Sequence, residues 1–293
     1  MSFDSTAILT TTFLERLDSI HAELLGAGTA IEYRDAARAV AAMAVETIER
    51  SDAFYHDVEH TMLVTLVGQE ILRGRALAAG RVSASDWLHF TVGLLCHDIG
   101  YVRGICPGDG DDVAVTGFDG DSVTIPAGAT DAFLTPYHIE RGQLFVRTQF
   151  ADHPLIDGPL VAAAIEYTRF PVPANGGPSD AADWAVLVQA ADLIGQLADT
   201  DYPRKLPALY YEFEETGANA RMGNSSPDSL RDSYPEFFWT MVREHIEPGI
   251  RCLQRTRAGR DWLASLYAHV FSQEQKQLEA GAAAAIHPGL QQG

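Results

Sequence analysis

Apolar residues recur every three or four positions through the first eighty or so residues: Leu14, Leu17, Ile20 and Leu24, then Val40, Met43, Ala44 and Ile48. That period is one face of an α-helix, so the pattern predicts helix from residue 7 to about 81 with few strand signals. Ser85-Asp86 offers a capped start for a further helix through Trp87, Phe90, Leu94 and Leu95 to His97-Asp98, which Gly100 is expected to stop. Helical patterning resumes over residues 137–150, 160–168 and 181–199. It returns from 202 to about 279, a stretch rich in aromatics that includes Trp262 and Tyr267 and in which Phe237-Phe238-Trp239 reads as core.

Between residues 104 and 136 the pattern breaks. Asp109, Asp111, Asp112, Asp119 and Asp121 mix with six glycines and the short alternating piece from Asp121 to Ile125. This reads as a solvated loop insertion or lid, with room for a small β-hairpin. It lacks the regular alternation and terminal glutamate of a calcium-binding EF-hand loop. Residues 175–180, with Pro178, read as a loop, and residues 281–293 as a flexible tail. Without repeats or a convincing linker, the expectation is one all-α domain over residues 1–280, with a helical extension over 202–280.

At 293 residues and 46% hydrophobic content the chain can bury a large core. Charges interrupt every apolar run before it reaches membrane-spanning length, and no basic-then-apolar leader is seen, so the expected location is the cytoplasm. Cys96, Cys106 and Cys252 are too few for a disulfide framework. A net charge of −19 disfavours a nucleic-acid polymer as partner, while a small anion remains acceptable where local cations gather.

Candidate chemistry is concentrated in two strings, Tyr55-His56-Asp57-Val58-Glu59-His60 and Leu94-Leu95-Cys96-His97-Asp98-Ile99-Gly100-Tyr101. Histidine and aspartate are common ligands of first-row transition metals. His56 and His60, four apart, would share one helix face and point into one cleft. Asp192 lies in the apolar run from Val186 to Ile194, where an unpaired carboxylate is costly and a cation is the expected remedy. Gln196 and Asp199 follow it at helical spacing and would form a polar layer behind it.

His60, His97-Asp98 and Asp192 resemble the signature of the HD superfamily of metal-dependent phosphohydrolases: a histidine, a His-Asp pair and a distant aspartate. The Tyr-His-x-x-x-His form at Tyr55 to His60 is similar to the cyclic-nucleotide phosphodiesterase branch. The resemblance covers residues 54–199. It implies an HD-type helical bundle in which His60, His97, Asp98 and Asp192 hold one or two divalent ions. Zn, Fe, Mn, Mg and Ni all suit such nitrogen and oxygen ligands. It further implies that His56 is no ligand but the acid that protonates the leaving oxygen, that Asp98 bridges when two ions bind, and that His138 lies near the second ion. Where several binuclear relatives carry another histidine this chain has Glu166, an oxygen donor at best.

The implied activity is hydrolysis of a small phosphorylated or nucleotide-like ester, by a phosphodiesterase or phosphomonoesterase. Arg103, Arg169, Arg204 and Lys205 are the cations expected to meet such an anion, with Gln196 a further candidate for substrate contact. Two alternatives stand beside it. One is a di-iron oxygenase on the same fold, which the missing second histidine disfavours. The other is a non-catalytic domain in which metal or nucleotide stabilises a regulatory state.

Overall fold

The computed structural model describes residues 5–171 and 182–286. Among them are twelve α-helices and one two-stranded sheet, an all-α architecture as expected. The helices are α1 Ser5–Leu25, α2 Ile31–Ile48, α3 Val58–Ala79 and α4 Ala84–Cys96. They continue with α5 His138–Gln149, α6 Gly158–Glu166, α7 Ala182–Leu197 and α8 Tyr202–Glu215, then α9 Ala218–Met222, α10 Pro227–Phe237, α11 Glu247–Leu253 and α12 Arg257–Ile286. A five-residue π-helix, Phe238–Val242, follows α10.

Helix α3 is the axis of the molecule, packing against α1, α4, α7, α11 and α12. Met62, Val64, Val67, Ile71 and Leu72 are buried along it together with Thr61, Thr65 and Gln69. A helix apolar on most sides belongs in a core, and its polar members are satisfied there. Thr65 Oγ1 donates to the Thr61 carbonyl at 2.8 Å, and Gln69 bridges Trp87 Nε1 and the Thr91 hydroxyl. Where α3 meets α7 the backbones nearly touch. A Cβ on Gly195 would sit 2.7 Å from the Val64 Cα, so only glycine permits this approach, one turn from both His60 and Asp192.

Several boundaries differ from the sequence reading. Helix α4 is capped by Ser83, not Ser85, with Ser83 Oγ accepting from the Asp86 N–H at 3.0 Å. It ends at Cys96, and Gly100 does not stop it. Gly100 lies instead in a 3-10 turn, Ile99–Tyr101, pressed so close to the His138 carbonyl and the Gly142 nitrogen that any side chain would collide. Helix α7 ends at Leu197, which leaves Asp199 outside it. Helix α12 runs to Ile286, past the expected start of the tail at 281. The expected loop at 175–180 and residues 287–293 lie outside the described residues.

The insertion does carry a hairpin, β1 Val113–Val115 paired antiparallel with β2 Ser122–Thr124. It is not simply a solvated loop. Ala114, Ile125 and Leu134 form a small apolar core of their own, and Asp109 is buried against Arg141 of α5. The aromatic run at 237–239 is divided: Phe238 is fully buried, whereas Trp239 is 42% exposed. No helix among the described residues is long and apolar enough to cross a membrane.

Candidate metal centre

Two helix ends and the body of a third helix deliver the cluster. Asp57 caps α3, its Oδ1 accepting the His60 N–H at 2.9 Å, which places His60 in the first turn of α3. His56 therefore precedes the helix and does not share its face with His60, contrary to the four-residue spacing. The two rings still meet edge to face at 5.6 Å, because the chain turns sharply at Tyr55, whose carbonyl accepts the Asp57 N–H. At the other end of the site, His97 follows the last residue of α4 and its Nδ1 lies 2.7 Å from the Leu94 carbonyl. A carbonyl only accepts, so Nδ1 carries the proton and Nε2 of the neutral ring presents a lone pair inward. Asp192 of α7 arrives beside the Gly195 crossing.

The converging atoms are close. His60 Nε2 and His97 Nε2 are 3.3 Å apart. Asp98 Oδ2 is 3.2 Å from the first and 3.0 Å from the second. Asp192 Oδ1 is 3.6 Å and 3.5 Å from the same two atoms. Bonds of 2.0–2.2 Å to a single ion place neighbouring ligands about 3.0 Å apart in an octahedral shell and about 3.4 Å apart in a tetrahedral one. The five separations fall in or beside that range, and His60, His97 and Asp192 alone already form a ligand group of suitable spacing. Asp98 Oδ2 is buried, lies 3.0–3.2 Å from both imidazole nitrogens, and has no partner in good hydrogen-bond geometry. An orphaned carboxylate oxygen is what a cation site looks like without its cation. The donor set fits a divalent metal.

Electrostatics agree. Burial alone would depress His60 and His97, but the Asp98 and Asp192 carboxylates reverse this and hold both above the ordinary imidazole value. Burial alone would raise Asp98 and Asp192, yet the facing histidines hold both below the usual carboxylate range. In the metal-free protein, protons on the histidines do the neutralising that a metal otherwise would.

Asp98 has a second face. Its Oδ1 is 3.9 Å from His138 Nε2. The His138 Nδ1 lies 2.6 Å from the Thr135 carbonyl, fixing the tautomer so that Nε2 points toward the site, and burial lowers this histidine. Glu166 is not part of this face. It binds Arg169 at 2.6 Å and Gln143 at 2.8 Å.

One residue of the site escaped the sequence reading altogether. Glu212 of α8 is 1% exposed, and its Oε1 accepts the N–H groups of Tyr55 at 2.6 Å and His56 at 3.2 Å. Its Oε2 lies 2.6 Å from His56 Nδ1. Burial works against the charged imidazole, but the Glu212 carboxylate overrides it and His56 is raised to about 9. Glu212 in turn is lowered, because His56 outweighs the cost of its burial. In the sequence it stands between Tyr211 and Phe213 with Glu214 and Glu215 close behind, so no local signal sets it apart.

Residues 3–276 match the model of one protein family, a span that includes every residue of the cluster and the whole of α8. The chain belongs to the Npun_R2479-like family. No curated protein matches it. The family span also takes in the cations nominated for substrate, and each of these is already engaged. Arg103 binds Asp131 and, at 3.0 Å, Asp52. Arg169 is shared by Glu166 and Glu140, and Lys205 by Glu59 and Asp199, both at 2.8 Å. Arg204, 86% exposed, pairs with Asp201 and lines an open groove with Arg231 and Lys276. Gln196 bonds the buried Tyr202 hydroxyl.

Proposed function

We propose that the protein is a metal-dependent phosphohydrolase of HD type that cleaves a small phosphodiester. His60, His97, Asp98 and Asp192 hold a divalent ion, and the Asp98 Oδ1 and His138 Nε2 face can take a second. Bound there, such an ion supplies a Lewis acid for a phosphoryl oxygen and a water acidic enough to furnish hydroxide near neutral pH. The remaining steps belong to the chain. With Nδ1 committed to Glu212, His56 keeps its transferable proton on Nε2 and delivers it to the departing alkoxide. Glu212 also holds the two backbone N–H groups beside that ring, so the acid is fixed in position as well as in charge.

The observation that carries this reading is the adjacency of a carboxylate-backed imidazolium to an orphaned His/Asp ligand set. A ligand set alone fits an oxygenase or a regulatory site equally well. A half-buried imidazole that Glu212 keeps protonated near neutral pH, standing beside it, is the equipment for expelling a poor leaving group. Glu166, tied up by Arg169, adds nothing for a second iron.

Preference for a diester rests on charge. Arg103, Arg169 and Lys205 are each shared by two carboxylates, and the masking of Arg204 by Asp201 leaves no surplus. A phosphomonoester carries about −2 near neutral pH, and beyond the bound ion and His56 none of these nominated cations is left free for its second charge, whereas a diester carries a single one.

The test is a panel of aryl and alkyl phosphodiesters and monoesters with protein loaded with manganese, zinc, iron or magnesium, beside His97→Ala. Diester cleavage that vanishes in His97→Ala, with monoesters turned over at least about tenfold more slowly, is expected. No turnover of any ester, or identical rates in His97→Ala, would sink the reading. Oxygen uptake by the iron-loaded protein would favour the oxygenase.

A further inference from the structure

The 3-10 turn after the His-Asp pair places the ring of Tyr101 against two of the site's histidines at once. Tyr101 is 3% exposed. Its ring stacks on His56 with centroids 4.5 Å apart and planes 13° from parallel, and on His138 at 4.5 Å and 26°. The phenol is pinned at its far end. Its hydroxyl faces the Thr135 side chain, which is itself fixed by donating to the Ala132 carbonyl at 2.6 Å, while the Thr135 carbonyl accepts from His138 Nδ1. At its near end the collision-tight approach of Gly100 to the start of α5 sets the distance between the turn and His138.

We propose that Tyr101 is a positioning residue for the acid step: it holds the His56 ring in the plane that aims Nε2 at the leaving oxygen, and ties that plane to His138. This inference rests on the phosphohydrolase reading above. An imidazole hydrogen-bonded at one nitrogen can still swing about that bond. The Glu212 contact fixes one atom of the ring, and stacking against a buried, anchored phenol removes the remaining rotation. A flat aromatic face also favours an imidazolium over it, through the negative potential of the ring. Tyr101 itself transfers no proton in this scheme.

Three variants separate positioning from mere support. Tyr101→Phe keeps the ring and is expected to retain activity within about threefold, whereas Tyr101→Leu loses about 10- to 100-fold in kcat on an alkyl-leaving diester, with KM unchanged. On a p-nitrophenyl diester, whose leaving group needs little protonation, the loss in Tyr101→Leu is expected to stay below about threefold. Adding Tyr101→Leu to His56→Ala is expected to cost nothing more, since both act on one proton transfer. Equal losses on both esters, additive losses in the double variant, or loss of bound metal in Tyr101→Leu would overturn the inference.

A second readout does not depend on turnover. Ring currents from Tyr101 shift the His56 and His138 ring protons in NMR spectra of the metal-free protein, and both sets are expected to move downfield in Tyr101→Leu but not in Tyr101→Phe. Unmoved resonances overturn the stack itself. If the wild type turns over no ester yet the resonances move as expected, the phosphohydrolase reading fails and, with it, the assignment of the stack to an acid step, while the stack stands.

Discussion

Two buried clusters of charge in this protein are built to opposite rules. At the root of the insertion, Arg141 is 0% and Asp109 2% exposed. The guanidinium spends all five N–H donors: Nε on the Gly100 carbonyl, the two terminal nitrogens on the Val115 and Val102 carbonyls and on both Asp109 oxygens at 3.0 Å. Asp109 also accepts the N–H groups of Cys106 and Val115. Its carboxyl is held below the usual range because Arg141 and those N–H groups outweigh burial. Nothing in that cluster asks for an outside partner. At the His60, His97, Asp98 and Asp192 cluster, lone pairs and carboxylate oxygens converge at 3.0–3.6 Å and one oxygen is orphaned. The first cluster is complete as a structural joint. The second is complete only with a cation, and the contrast is a way to tell scaffold from site when both are buried and charged.

The largest effect that sharpens this contrast should come from the joint. Arg141→Met strands Asp109 and three carbonyls in a dry environment, and an unfolding free-energy loss of about 3–5 kcal/mol is expected in urea denaturation. The stabilisation given by added manganese or zinc should survive in this variant. A loss under about 1 kcal/mol would show that the joint is solvated and the contrast misdrawn.

The cluster should behave the other way round. With metal at 100 times its Kd the wild type should gain about 2.7 kcal/mol, and Asp192→Asn should lose that gain in addition to the metal-free stability that Asp192 draws from His60 and His97. The pH dependence has a definite sign. His60 and His97 are raised in the fold, so their metal-free contribution is full below the unfolded value near 6.5 and is lost as pH rises through the folded values. Metal needs them deprotonated, so its stabilisation should grow over that same rise, with protons released on titration in weak buffer. A metal-induced shift in melting temperature that is flat from pH 6 to 9 would contradict this.

How much of this was legible in the sequence follows from distance along the chain. Helix periodicity and the ligand strings are local signals, and they led to the all-α fold, the hairpin in the insertion and the converging His60, His97, Asp98 and Asp192. Glu212 was not legible, because it meets His56 across 156 residues and is one of 40 acidic residues in the chain. Asp109 was lost among its neighbours for the same reason: six aspartates in one insertion look alike until the fold buries Asp109 against Arg141 and Asp131 against Arg103. The helical placement of His56 failed on a local rule. Asp57 is a good N-cap, and its side chain satisfying the His60 N–H outweighed the spacing of the two histidines. The cations were misjudged because a sequence shows arginines without their carboxylates.

The smallest expected effect tests the contrast on a residue between the two cases. His21 of α1 is 3% exposed with its ring against the edge of Trp87 at 4.8 Å. One nitrogen is served by the Ala30 backbone, but Nε2 has no partner, so this group is neither self-satisfied like Arg141 nor gathered with other ligands. Burial therefore dominates, and His21 is lowered from its ordinary value despite Ala30. A histidine lowered in the fold contributes stability that is full above the unfolded value near 6.5 and is lost as pH falls below it, the reverse of His60 and His97. His21→Leu should accordingly be less sensitive to acidification between pH 7 and 5 than the wild type in urea denaturation read by tryptophan fluorescence. Equal slopes in the two proteins would mean that His21 finds water or a proton acceptor in solution, and that an orphaned buried nitrogen does not by itself distinguish scaffold from site.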